Sequence, residues 1–273
     1  MSAAREEGFV LPSNQTCGQT EAVNRIVGGT EAPLNAYPWM ALLLYNDEGT
    51  QNTKLIPKCA GSLITNRFVL TAGHCLNLIG FNLISVRLGE HNIDTQPDCI
   101  KLMHGDIKCA AMHLEINIVG KARHVHDIAL LKLEFPVRYT DEIRPICVLS
   151  SYPSSNPSFE NQNFEIAGWG WTEKHEMSDV LLKANIVGRH PNDCSVLRLN
   201  NETEICAGGQ KGRDTCSKDS GSPLMATMGR GADEFVYLAG ITSYGFNACG
   251  SGPAVYLKTY KFYEWIRIRM FNL

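Results

Sequence analysis

Hydrophobic residues fall along this chain in short runs, not in long periodic stretches. Val, Ile, Leu and aromatic residues gather in residues 39–45, 67–70, 83–88 and 128–133, with Gly, Asn, Asp and Pro between them. The same texture returns in residues 163–169, 181–187, 235–243 and 254–257. Runs of this length bounded by turn-forming residues predict strands, and many in succession predict an all-β sandwich or a pair of barrels. Helical spacing surfaces only at the end. There Phe262, Trp265, Ile266 and Met270 recur at three- and four-residue intervals and predict one C-terminal helix over about residues 260–270. The polar stretch 150–162, with Pro153 and Pro157 among Ser and Asn, reads as a surface connection near a boundary between halves.

Size and charge narrow the picture. A chain of 273 residues suits one large unit or two small barrels with a real core. Lys+Arg 25 nearly balance Asp+Glu 28, which offers no basic face to nucleic acid and no pull towards an anionic membrane. No stretch approaches the roughly 20 apolar residues of a membrane-spanning helix, so a soluble protein is expected. The ten cysteines are even in number and form no repeating Cys-x-x-Cys arrangement, which argues for disulfides over zinc and for an oxidising compartment. Asn14-Gln15-Thr16 and Asn201-Glu202-Thr203 are acceptor patterns for N-glycosylation and agree with secretion into the extracellular space. Residues 1–25 hold no apolar run of signal-peptide length, so the start is read as truncated.

Three short motifs carry candidate chemistry: Thr71-Ala72-Gly73-His74-Cys75, Asp127-Ile128-Ala129-Leu130-Leu131 and Asp219-Ser220-Gly221-Ser222-Pro223. A serine hydroxyl is a poor nucleophile until a base takes its proton, and neutral imidazole is such a base near neutral pH. That imidazole must be held in one tautomer and stabilised as it charges, which calls for a carboxylate behind it. Ser220, His74 and Asp127 fit these needs. Singly, one of eight histidines or an Asp before an apolar strand has an ordinary surface or turn explanation. Together, in the order His, Asp, Ser, they do not.

Arg25-Ile26-Val27-Gly28-Gly29, Trp39 after Tyr37-Pro38, and Ser243-Tyr244-Gly245 complete a pattern that resembles the chymotrypsin family of trypsin-like serine proteases from Arg25 onward. Cys17 ahead of Arg25, and the extra Cys99 and Cys109 after Glu90, make it look like the catalytic part of an arthropod clip-type protease. The resemblance implies two antiparallel six-stranded β-barrels, about residues 26–146 and 147–258, closed by the terminal helix, with residues 1–25 as pro-segment. It implies bridges Cys17–Cys147, Cys59–Cys75, Cys99–Cys109, Cys194–Cys206 and Cys216–Cys249. It further implies a zymogen cut after Arg25, whose new Ile26 ammonium pairs with Asp219 beside the nucleophile. Asp214, six residues before Ser220, would lie at the base of the primary specificity pocket and select Arg or Lys, with Ser243, Gly245 and Ala254 lining it. The backbone N–H groups of Lys218 and Ser220 would form the oxyanion hole. The implied partners are protein substrates in an extracellular cascade, an upstream activating protease and a serpin-type inhibitor, met by a monomer.

Several positions depart from that pattern. Lys218 replaces the Gly before Asp219, and Ala254 stands where trypsin-like members usually have Gly. Residues 114–126 look shorter than the family's strand and loop at this place. Glu90-His91-Asn92 resembles the start of a structural calcium loop, but no further ligands are evident, and no cofactor is otherwise expected. Lys218 also motivates a rival reading, a catalytically silent homologue that serves as a binding protein or cofactor. Retention of Ser220, His74, Asp127 and Asp214 opposes it, since a binding module needs none of them.

Overall fold

The computed structural model describes residues 10–20, 30–50, 54–101, 106–110, 112–151, 159–170, 178–209, 219–246 and 252–273. Among the described residues fifteen strands run in order: β1 Thr30–Glu31, β2 Met40–Asp47, β3 Ile56–Leu63, β4 Phe68–Ala72, β5 Phe81–Leu88, β6 Cys99–Lys101, β7 Ile107–Cys109, β8 Leu114–His124, β9 Ile128–Leu133, β10 Asn163–Gly168, β11 Leu182–Val187, β12 Glu204–Gly208, β13 Pro223–Met228, β14 Phe235–Tyr244 and β15 Pro253–Lys258. One helix, α1 Tyr263–Asn272, ends the chain, entered through a 3-10 turn at Thr259–Phe262.

The first half closes into a six-stranded antiparallel barrel in the order β2-β3-β4-β9-β8-β5. Strand β2 is buried through its first six residues, not on alternate ones, because its inner face fills the barrel and its outer face meets other elements. The second half is a seven-stranded sheet in the order β1-β11-β10-β13-β14-β15-β12, curled so that an isolated bridge between Gly188 and Ala207 returns β12 to the end of β11. Six of its strands therefore make the expected second barrel, of half-closed form among the described residues. Strand β1 corrects the boundary drawn from sequence: although it precedes the first barrel, Thr30 and Glu31 pair with Lys183 and Leu182 of β11.

The main core takes in Trp39, Leu43, Tyr45, Phe68, Leu70 and Leu130 of the first barrel together with Met225, Leu238 and Ile241 of the second sheet. Phe262, Ile266 and Met270 of α1 join the same cluster, so the helix that follows the second sheet packs back on the first half. A smaller core, around Phe159, Phe164, Ile186, Leu224 and Tyr256, fills the second sheet. Residues 114–124 form a full strand with burial on alternate positions near its start, and only three residues separate it from β9. No helix among the described residues is long and apolar enough to cross a membrane.

Disulfides join Cys17 to Cys147, Cys59 to Cys75, Cys99 to Cys109 and Cys194 to Cys206. The first spans 130 residues. It docks the segment 10–20 against the connection between the halves, where Gly18 N donates to Pro145 O at 2.8 Å and Val236 N to Gly18 O at 2.9 Å.

Candidate active site

His74 lies in the 3-10 turn Gly73–Leu76 after β4, and Asp127 in the tight link from β8 to β9. Asp127 holds a left-handed backbone, φ 63°, a conformation that costs a non-glycine residue about 1–2 kcal/mol. The hydrogen bond from His74 N to Asp127 Oδ1 at 2.7 Å helps to hold that turn. Nδ1 of the His74 ring stands 3.1 and 3.0 Å from the two carboxylate oxygens. With Nδ1 donating to the carboxylate, Nε2 is left as the basic nitrogen facing away from it. The Ser243 hydroxyl also donates to Asp127 Oδ2. Burial pushes the Asp127 carboxyl up, but the hydrogen bonds from His74 and Ser243 outweigh it and hold the group below its ordinary value. An acid whose folded pKa is depressed adds stability above its unfolded pKa, and that stability is lost as the pH falls through the folded one.

Ser220 stands on a tight turn between Asp219 and Ser222. Ser222 N donates to Asp219 O at 2.9 Å, and Gly221 N to Thr242 O at 2.9 Å, so β14 braces the turn from the second sheet. From the first barrel, Ala60 N donates to Ser220 O at 2.9 Å, and Cys75 Sγ lies 3.6 Å from the same oxygen. The serine therefore sits where the two halves meet, against the disulfide that follows His74. Gly221 has φ 83°, and a Cβ there would fall 2.2 Å from Thr71 Oγ1 and 2.3 Å from Ala60 O. Gly221→Ala should therefore cost more than about 3 kcal/mol of stability in urea unfolding, since neither β3 nor β4 can yield. A variant within about 0.5 kcal/mol of wild type would show that the turn is not wedged between the halves.

Asp219 is buried, and its Oδ1 accepts from Gly170 N at 2.9 Å. Side chains at Gly168 and Gly170 would strike its carboxylate at 2.1 and 2.2 Å, so these two glycines shape its recess. Gly245 and Ala254, both assigned from sequence to the pocket wall, meet across β14 and β15: a Cβ on Gly245 would be 3.3 Å from Ala254 Cβ. Asn14 and Asn201 lie at the surface. Arg25, Ile26, Asp214, Cys216, Lys218 and Cys249 lie outside the described residues. Sequence reasoning missed the Ser243 hydroxyl as a partner of Asp127. The two are 116 residues apart and nothing in either local motif signals the pairing.

The loop likened to a calcium site is built differently. Glu90 Oε2 takes Arg87 Nη1 at 3.1 Å and has His113 Nδ1 at 3.4 Å, while Oε1 accepts from His91 N at 3.1 Å. Asp98 Oδ2 accepts from His91 N at 2.8 Å and Asn92 N at 3.1 Å, and its Oδ1 from Thr95 Oγ1 at 2.6 Å. Donors cover these four carboxylate oxygens, and the Arg87 guanidinium lies against Glu90. Among the described residues Cys59, His74 and Cys75 also come within reach of one ion, but both sulfurs are spent in a disulfide.

Burial pushes the Glu90 carboxyl up to about 7, Arg87 pulls it down, and the neighbouring charge of Asp98 adds to the rise. A carboxyl raised on folding adds stability that is present below its ordinary value near 4.5 and is lost as the pH climbs through about 7. Glu90→Gln should match wild type near pH 4.5 and exceed it by about 3 kcal/mol at pH 8 in buffers free of divalent cations. Melting curves of the two proteins across that range test this, and parallel curves would refute it.

Comparison with known proteins agrees with this geometry. The family model described as Trypsin matches residues 26–266. The Spaetzle-processing enzyme of Drosophila melanogaster is 38% identical over 98% of this chain and 71% of its own length. The CLIP domain-containing serine protease HP8 of Bombyx mori is 34% identical over 94% of this chain and 72% of its own. Among solved structures, the Drosophila Grass clip serine protease of the Toll pathway superposes with a TM-score of 0.79 at 32% identity, over 98% of this chain and 78% of that one. With its closed barrel, half-barrel sheet and terminal helix, and with insect clip-type proteases as relatives, the chain belongs to the trypsin family of chymotrypsin-like serine proteases and is a serine endopeptidase.

Proposed function

We propose that this protein is a secreted zymogen that, once cut after Arg25, hydrolyses protein substrates after Arg or Lys within an extracellular protease cascade. The observation that carries the reading is the continuous string Ser243–Asp127–His74 at the seam where Ser220 stands. Ser220 attacks the substrate carbonyl while His74 takes its proton and returns it to the leaving amine. Asp127 keeps the ring in the working tautomer and stabilises it when charged. The backbone N–H groups of Ser220 and Lys218 receive the oxyanion. Asp214 matches the cationic side chain of the substrate, and an apolar one would leave that charge unpaired. The freed Ile26 ammonium enters the recess of Gly168 and Gly170 and pairs with Asp219, which fixes the turn carrying Ser220.

Four disulfides and surface-exposed Asn14 and Asn201 support an oxidising, secretory route. A relative named for processing Spaetzle and a structural neighbour from the Toll pathway support protein substrates, and the proposal adds an activating protease upstream and a serpin-type inhibitor. The test is to cleave the purified chain after Arg25 and follow hydrolysis of Arg, Lys and Phe esters. Turnover of the Arg and Lys esters that begins with cleavage supports the reading. Its absence in a folded, cleaved protein would favour a silent homologue. Lys218→Gly should raise kcat, because lysine either strains the oxyanion loop or turns one donor away, a loss of up to about 2.7–4 kcal/mol. An unchanged kcat would remove Lys218 as a brake.

A further inference from the structure

The strands β6 and β7 form a separate two-stranded hairpin whose directly opposed Cys99 and Cys109 are disulfide-bonded. It stands outside both barrels, yet hydrogen bonds joined by short covalent links lead from it to Asp219, the residue before the nucleophile. Asp98, next to Cys99, is buried and accepts the His91 N–H at 2.8 Å. The carbonyl of His91 accepts from Trp169 Nε1 at 3.1 Å and from Leu181 N at 2.8 Å. Gly170, the residue after Trp169, donates its N–H to Asp219 Oδ1 at 2.9 Å, and Asp219 precedes Ser220. His91 and Trp169 are both buried. On its other side the His91 ring reaches Glu31 Oε1 at 3.0 Å, on the strand that follows the proposed cleavage site.

We infer that the disulfide-bonded hairpin is a positioning element for the nucleophile turn, acting through Asp98, His91 and Trp169 on the Gly170–Asp219 contact. The inference rests on the proposed role of Asp219 in activation. Asp98 fixes the peptide between His91 and Asn92 through a charge-assisted bond from the Asn92 N–H at 3.1 Å, and the His91 carbonyl of that peptide in turn fixes the indole beside Gly170. Short buried bonds between rigid segments leave little slack, so a shift at the hairpin is passed on as a shift of Gly170 N–H relative to Asp219. None of these residues touches substrate. Their effect is on the fraction of molecules in which the turn is correctly formed.

The experiment uses the full chain cleaved after Arg25, as wild type, as Trp169→Phe, which keeps the ring and removes the N–H, and as Cys99→Ser/Cys109→Ser. The rate of covalent labelling of Ser220 by diisopropyl fluorophosphate is measured per folded molecule, with kcat and KM on one Arg ester. Each variant is expected to lose about 2- to 30-fold in labelling rate and kcat together, with KM unchanged. Variants that label at the wild-type rate, or that lose activity only in proportion to unfolded protein seen by circular dichroism, would overturn the inference alone. A cleaved wild type that neither labels nor turns over would sink the protease reading, and this inference with it.

Discussion

Ser220→Ala in the cleaved protein is expected to lower kcat for an Arg ester by about 10⁶-fold while leaving KM nearly unchanged, the pattern of a group that acts only in the transition state. The expectation follows from what stays in place without the hydroxyl. The His74 ring is held by both oxygens of Asp127, and Asp127 by Ser243, so the acid–base pair survives intact. The turn at Ser220 is fixed by main-chain bonds from Ala60 and to Thr242, none of which uses the side chain. The variant should therefore fold, bind and fail only in chemistry. Residual turnover within tenfold of wild type would mean that another nucleophile, or a contaminating protease, does the work.

Asp219→Asn should cost the cleaved enzyme about 3–5 kcal/mol of transition-state stabilisation, which is two to more than three powers of ten in rate, although no triad member changes. The carboxylate occupies a recess that admits no side chain on Gly168 or Gly170, and one oxygen is committed to Gly170 N–H. An amide of the same shape can keep that bond, but its other arm is a neutral NH₂ directed at the place proposed for the Ile26 ammonium. The charge pairing that would drive the switch is then absent. Cleavage after Arg25 should proceed normally and activity should not follow. If Asp219→Asn gains activity on cleavage as wild type does, the ammonium–carboxylate switch is wrong even if the protease is real.

The strand-rich class was legible because its signal is local: short apolar runs between turn residues, with helical spacing confined to α1. Strands β3, β8, β12 and β13 were harder to see. Their sequences mix Lys, Pro, Gly and Glu with apolar residues, as in Ile56–Leu63 and Leu114–His124, and pairing with neighbours, not propensity, makes them strands. The motifs around His74, Asp127 and Ser220 were legible for another reason. Each is a contiguous stretch in which the reactive residue and the small residues that let it turn sit side by side.

The sequence by itself determined an all-β chain with one terminal helix, its candidate nucleophile, base and acid, and the chemistry those residues support. The tertiary structure decided what lies across the chain from them. It put the Ser243 hydroxyl on Asp127, joined β1 to the second sheet, closed donors around Glu90 and Asp98 where a cation loop was considered, and ran the line from Asp98 through His91 and Trp169 towards Asp219. These contacts depend on sheet register and on how the two halves meet. A local pattern carries no information on either, because a one-residue slip in pairing would send a strand side chain such as that of Ser243 to the opposite face and shift the loops that the strands carry.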